Sequence, residues 1–209
     1  MHYINPLRHP FGMKKIVLLN IVLLFSATVF AQTINKTDSI AAIDTLNITI
    51  ANGMQPKNDI VQNIATSKDL SLFYNLIKSA NLTETYESKG PITVFAPINE
   101  AFETLQPGKL DSLAMPARIW ELTHILTYHA IAGKFNAKDI QKQINGHKGT
   151  ATFTTLGGSK LTAKIDSNHN IILEDENGGQ SIISSVGIEQ SNGVLHVVNK
   201  VLIPKPKAI

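Results

Sequence analysis

The stretch "TVFAPINEAF", Thr93 to Phe102, decides how the chain is read. Its first four residues are β-branched, aromatic or small and favour a strand. Pro97 biases Ala96 toward extended backbone. Asn99 then stands where a helix N-cap would, and Glu100 falls in the first turn, near the positive end of the helix dipole. Strand, turn and helix start are thus specified locally. Capping by Asn99 corresponds to about 0.5–2 kcal/mol.

Upstream, "NDIVQNIATSKDLSLFYNLIKSANL" (Asn58–Leu82) spaces Ile60 and Ile64, Leu72 and Leu76, and Phe73 and Ile77 by four residues, which predicts two short helices with Asn58 and Ser67 as caps. Downstream, "PARIWELTHILTYHAIAGKF" (Pro116–Phe135) opens with a proline suited to a helix start and closes with Gly133. Ile119, Leu122, Leu126 and His129 recur at three, four and three, so a core-facing helix ends on a histidine. "AKDIQKQI" (Ala137–Ile144) predicts a further amphipathic helix. Beyond it the period becomes alternating, and "TATFTTL", "KLTAKID", "NIILED", "QSIISSVGIEQ" and "GVLHVVNKVLIP" are short β-rich runs separated by turn residues. An antiparallel meander is expected for this last third. Helices before strands predict an α+β class, and no internal duplication is visible.

The N-terminal region has another character. "MKKIVLLNIVLLFSATVFAQ" (Met13–Gln32) pairs two lysines with an apolar core and small residues, the pattern of a signal peptide cleaved after Ala31. Asn20 and the shortness of the apolar run argue against a transmembrane anchor. Residues 1–31 are therefore expected to be an upstream extension and signal, with Met1 or Met13 as the start. Residues 32–57 read as a flexible arm, 58–205 as the folded domain and 206–209 as a tail. "ITI" (Ile48–Ile50) has the composition to add one strand to a sheet edge. Ser39 and Thr45 sit in Asp-Ser and Asp-Thr triplets that fit a bacterial O-glycosylation acceptor.

Composition removes several function classes. Over the whole chain Lys+Arg is 19 and Asp+Glu is 16; without residues 1–31, which contain Arg8, Lys14, Lys15 and no acid, both are 16. The basic balance belongs to the export signal, and a nucleic-acid role is not expected. Cysteine is absent, which excludes disulfides, thiolate metal sites, a cysteine nucleophile and an acylated lipoprotein cysteine. His124, His129, His147, His169 and His196 show no zinc-protease spacing, and no "GxSxG" elbow is present, so neither a metal, a cofactor nor catalysis is expected.

Three stretches in order, "TVFAPINEAFETL" (Thr93–Leu105), "LTHILTYHAIAGKF" (Leu122–Phe135) and "IEQSNGVLHVVNKVLIP" (Ile188–Pro204), resemble a fasciclin-like domain over about Asn58 to Lys205. The resemblance implies an antiparallel β-sandwich or wedge of about seven strands with several packed helices, in which the first and last motifs share the central sheet. Thr93, Phe95 and Pro97 are structural positions of the first motif, and His196 and Asn199 of the third, where the family often has Asp in place of Asn199. It further implies a non-enzymatic, secreted, periplasmic or surface-displayed module that binds a cell-surface or matrix protein or a glycan. Asn99, Glu100, Tyr128 and His129 match positions proposed as adhesion determinants in animal relatives. The residues themselves also support structural roles, a cap for Asn99 and buried histidines at 129 and 196. A second reading is a periplasmic protein that holds a small apolar ligand between helices and sheet.

Overall fold

In the computed structural model, which describes residues 53–183 and 187–206, Ile92–Pro97 forms strand β1 and is buried along its whole length. One side of it pairs antiparallel with β2 (Ala130–Ala132). The other side pairs parallel, residue for residue, with β8 (Gly193–Val198), which is also buried throughout. β7 (Ile188–Gln190) completes a sheet in the order β2-β1-β8-β7. Strands covered on both faces need continuous apolar runs, which is why "ITVFAP" and "GVLHVV" do not alternate with polar residues. Pro97 is tolerated because it stands past the end of the β2 pairing, on the edge where an N–H would have no strand partner.

The two faces of β1 and β8 feed different cores. Val94, Ala96, Leu195 and Val197 pack with the helices, whereas Phe95 and Val198 point to the other side. The helical layer contains α1 (Ile60–Ile64), α2 (Ser71–Ser79), α3 (Thr83–Tyr86), α4 (Asn99–Glu103), α5 (Lys109–Leu113) and, after a 3-10 turn at Pro116–Arg118, α6 (Ile119–Tyr128). On the opposite side lie α7 (Ala137–Gly146) and a second sheet, an antiparallel meander of β3 (Thr150–Thr154), β4 (Lys160–Ile165), β5 (Ile171–Glu174) and β6 (Gln180–Ile182). Single bridges, Ile131 to Thr155 and Ile183 to Val198, join the two sheets. The packed region includes Met54, four residues before the expected start at Asn58.

Several local expectations change. The α+β class and two packed sheets are found, with eight strands among the described residues where about seven were expected. The meander ends at β6, since β8 leaves it to lie parallel to β1. The helix predicted over 116–135 stops at Tyr128, because Ala130–Ala132 is taken as an edge strand by Ile92–Val94. At α1 the cap is Asp59, in a reciprocal box with Gln62, and Asn58 is displaced to a weaker contact with Asn63. The signal sequence, Ile48–Ile50, Ser39, Thr45 and residues 207–209 lie outside the described residues.

The most informative change concerns Asn99. Ile98 is the N-cap of α4, and Asn99 is the first helical residue, with no cap bond to its own helix. Its side-chain oxygen instead accepts from Leu72 N at 3.0 Å, inside the first turn of α2, while its amide donates to Lys68 O at 2.9 Å. Asn99 N also donates to Asp69 O at 2.8 Å. The residue therefore caps α2 across the fold, which explains why neither Ser67 nor Leu70 supplies a side-chain cap there.

Asn99→Ala is expected to cost about 1–2 kcal/mol in urea unfolding, while Glu100→Ala, at an exposed position, stays within about 0.5 kcal/mol. Equal losses at the two positions would contradict the cross-fold cap. A methyl at Gly193 would lie 1.8 Å from Ile92 O, so Gly193→Ala must open the parallel pair and should cost about 3 kcal/mol or more. Circular dichroism melts decide this, and a native-like Tm for the variant would contradict the pairing.

Candidate functional site

The middle motif ends α6 on two buried side chains. Tyr128 OH donates to Lys160 O at 2.7 Å, reaching into the second sheet, and burial pushes its phenol well above the usual range. His129 lies on the opposite side and joins three elements. Its main-chain oxygen accepts from Phe95 N in β1, its Nδ1 donates to Ile125 O, and its Nε2 accepts from Leu202 N at 3.0 Å. Because Leu202 N–H can only donate, the ring proton is on Nδ1. Neither side chain presents surface, at 0% and 1% exposure.

The third motif carries a second buried imidazole. His196 stacks on Phe95 at 5.6 Å between ring centroids and donates from Nε2 to Phe135 O at 2.8 Å. Nδ1 has no partner. Thr93 works beside it, donating to Gly133 O and accepting from Phe135 N, and so fixes the chain that leaves β2. Asn199 accepts from Ile182 N and from Ser181 Oγ. An amide oxygen therefore makes these bonds at Asn199. Among the motif residues Asn99 is half-buried and Glu100 exposed, and they sit at the far end of β1 from Gly193.

A different face holds a groove of about 920 Å³ along α6. Trp120, Glu121, His124 and Thr127 form its helical wall. Ile203, Pro204 and Pro206 form the facing wall, and Gly157 comes from the turn between β3 and β4. The facing wall is fixed by the turn between β5 and β6: Asp175 accepts from Ile203 N, Asn177 donates to Ile203 O and Glu176 accepts from Lys205 N. Gly157 is required by close approach, since a methyl there would sit 2.8 Å from Thr127 Oγ1. His124 Nε2 lies 3.2 Å from Ser159 Oγ and ties α6 to the end of the turn that enters β4. At the N-terminal end of α6, Glu121 is paired with both Lys109 and Arg118, which hold its carboxyl below the usual range.

One of the exposed large apolar side chains, Trp120, lines this groove. Trp120 is 78% exposed and Met115 56%, and Leu156 precedes the lining Gly157; these are the exposed large hydrophobic side chains of the described chain. A large indole exposed on the wall of a mainly apolar concavity marks a candidate interaction surface. Sequence reasoning missed the groove. The available signal was Trp120, which falls outside the apolar stripe of Ile119, Leu122 and Leu126. Among the described residues there is no group of three or more His, Asp or Glu side chains arranged to hold a metal ion. No described helix is long and apolar enough to cross a membrane.

Two four-stranded sheets, one built on a parallel central pair, with helices covering one face, are the architecture of a FAS1 domain. The solved FAS1 domain pair of the insect cell adhesion molecule fasciclin I matches with a TM-score of 0.60 at 16% identity, over 72% of this chain and 51% of that one. The fasciclin domain family matches residues 68–204, and the chain belongs to that family. It is 32% identical over 145 residues to the Synechocystis protein sll1483, covering 69% of this chain and 73% of that protein. Similarity to sll1735 of the same organism is 30% over 145 residues and spans 97% of it. Pig transforming growth factor-beta-induced protein ig-h3 is 30% identical over 149 residues, which is 71% of this chain and 20% of that protein.

Burial holds His129 and His196 at about 4, below the ordinary 6.5, with Asp175 opposing the shift at His129. The unfolded chain therefore takes up protons first. Stability is complete above about pH 6.5 and is lost as pH falls toward 4, with a slope approaching about 1.4 kcal/mol per pH unit for each histidine. Urea midpoints between pH 7 and 4.5 should fall accordingly. His196→Gln, which keeps a donor for Phe135 O, should be less stable at pH 7 but should show about half the slope. A flat profile in the wild type would contradict neutral buried imidazoles.

Proposed function

We propose that the chain is a non-enzymatic, exported adhesion or interaction module whose contact face is the groove along α6, and whose partner is a cell-surface or matrix protein or a glycan. The observation that carries this reading is the exposed indole of Trp120 on the wall of a mainly apolar concavity, with exposed Leu156 next to the lining residue Gly157 and exposed Met115 three residues before the lining residue Arg118. Kinship with an insect cell adhesion molecule supports the class of function, and the signal-like N-terminus supports export to the periplasm or cell surface. The family motif residues serve the frame in this reading. Tyr128, His129, His196 and Asn199 hold the helices, the two sheets and the C-terminal segment together, while Asn99 and Glu100 lie at the surface end of β1 and form a secondary contact. The reading calls for no cofactor or metal.

A second reading, a binder of small apolar molecules, is favoured by one specific feature. The groove has the size of a ligand site and walls that are mainly apolar, with polar side chains interspersed.

Attachment of the purified protein to glycan arrays, matrix proteins and whole cells tests the main reading. Trp120→Ala with Met115→Ser should abolish attachment and leave the unfolding free energy within about 0.5 kcal/mol of wild type. Tyr128→Phe should destabilise the fold while the folded fraction still attaches. Attachment that survives loss of Trp120 and Met115 and disappears with Glu100→Ala would overturn the assignment of the contact face.

A further inference from the structure

The charges at the N-terminal end of α6 do not balance. Lys109 and Arg118 converge on a single carboxylate, Glu121, which leaves one excess positive charge beside a mainly apolar trough. Lys109, Arg118 and Glu121 are the charged residues that line the groove; Asp175 and Glu176 do not line it, and their carboxylates accept from main-chain N–H groups of Ile203, Lys205 and Lys160. Arg118 is 53% exposed and uses Nη1 on Glu121 Oε2 at 2.9 Å, which leaves the rest of its planar donor fork free for a second carboxylate. Along the rest of the trough, the exposed indole of Trp120 faces a wall of Ile203, Pro204 and Pro206, which offers apolar contact and few donors.

We propose that this groove binds an anionic single-chain amphiphile, with the carboxylate of a long-chain acyl acid on Arg118 and Lys109 and the hydrocarbon chain lying along α6 beneath Trp120. The inference rests on the small-molecule reading of the groove and gives it a ligand class. Each CH₂ of a saturated chain of about twelve carbons that the trough buries adds to affinity, while the cations supply orientation and selectivity. A quaternary ammonium head would meet the same excess positive charge and be disfavoured. A neutral head would gain nothing from it.

Trp120 is the single tryptophan of the whole sequence, so intrinsic fluorescence of the full chain reports on this groove alone. The protein is titrated, below the micellar concentration, with dodecanoate, dodecanol and dodecyltrimethylammonium at low and high salt. Dodecanoate should shift Trp120 emission to the blue with saturation and bind about three- to tenfold more tightly than dodecanol, an advantage that shrinks with salt. Lys109→Gln with Arg118→Gln, both at solvent-accessible positions, should erase that advantage while melting and dodecanol affinity stay as in wild type. Equal affinity for acid and alcohol, or tighter binding of the ammonium, would overturn the anionic class and leave the small-molecule reading standing. No response to any of the three compounds would overturn both.

Discussion

The parallel pairing of β1 with β8 is the constraint on which the rest of the structure depends. It joins residues about a hundred positions apart, from Ile92 opposite Gly193 to Pro97 opposite Val198, and buries both strands on both faces. A pair of this kind is costly in loop closure and is held by what it buries. It also divides the interior. One face receives the helices through Val94, Ala96, Leu195 and Val197, and the other receives the second sheet through Phe95, His196 and Val198. His129 then fastens α6 and the C-terminal segment to this pair through Phe95 N and Leu202 N. The histidines of the family motifs are structural joints made from imidazole, a side chain able to offer one donor and one acceptor to main-chain groups in a dry interior.

Much of this frame was legible because it is written locally. The strand at Thr93–Ala96, the proline at its end, the helix of α6, the meander and its glycine turns all follow from periodicity and turn chemistry. What was misread depends on partners distant in sequence. Asn99 looks like the cap of the helix that begins beside it, yet its side chain caps α2, 27 residues upstream. Ala130–Ala132 continues an apolar pattern that suits a helix, and only the presence of Ile92–Val94 makes it a strand. The parallel register of β8 is invisible without β1. Family resemblance placed both strands in one sheet but did not supply the direction of the pair.

The candidate site was the least legible part, for a physical reason. Its walls come from α6, from the turn at Gly157 and from the segment Ile203–Pro206, and none of these is unusual alone. The groove exists because Asp175, Glu176 and Asn177 hold the C-terminal segment away from α6, an arrangement that no short motif encodes. The motif residues and the groove nevertheless belong together. Tyr128 and His129 at the end of α6 hold the helix whose outer face carries Trp120, so buried motif residues support a surface whose contacts other side chains make. Frame and contact surface are thus separable by substitution.

The central claim is that the motif residues stay buried in the native state and act by holding the frame. Native-state hydrogen exchange tests it most directly, read at the amides of Phe95, bonded to His129 O, and Leu202, bonded to His129 Nε2. The account predicts that both amides exchange only through global unfolding, with the same free energy and the same denaturant dependence as the amides of β8. Exchange of Phe95 and Leu202 through local fluctuations, while β8 remains protected, would mean that Tyr128 and His129 open to solvent in the folded protein, and would contradict it.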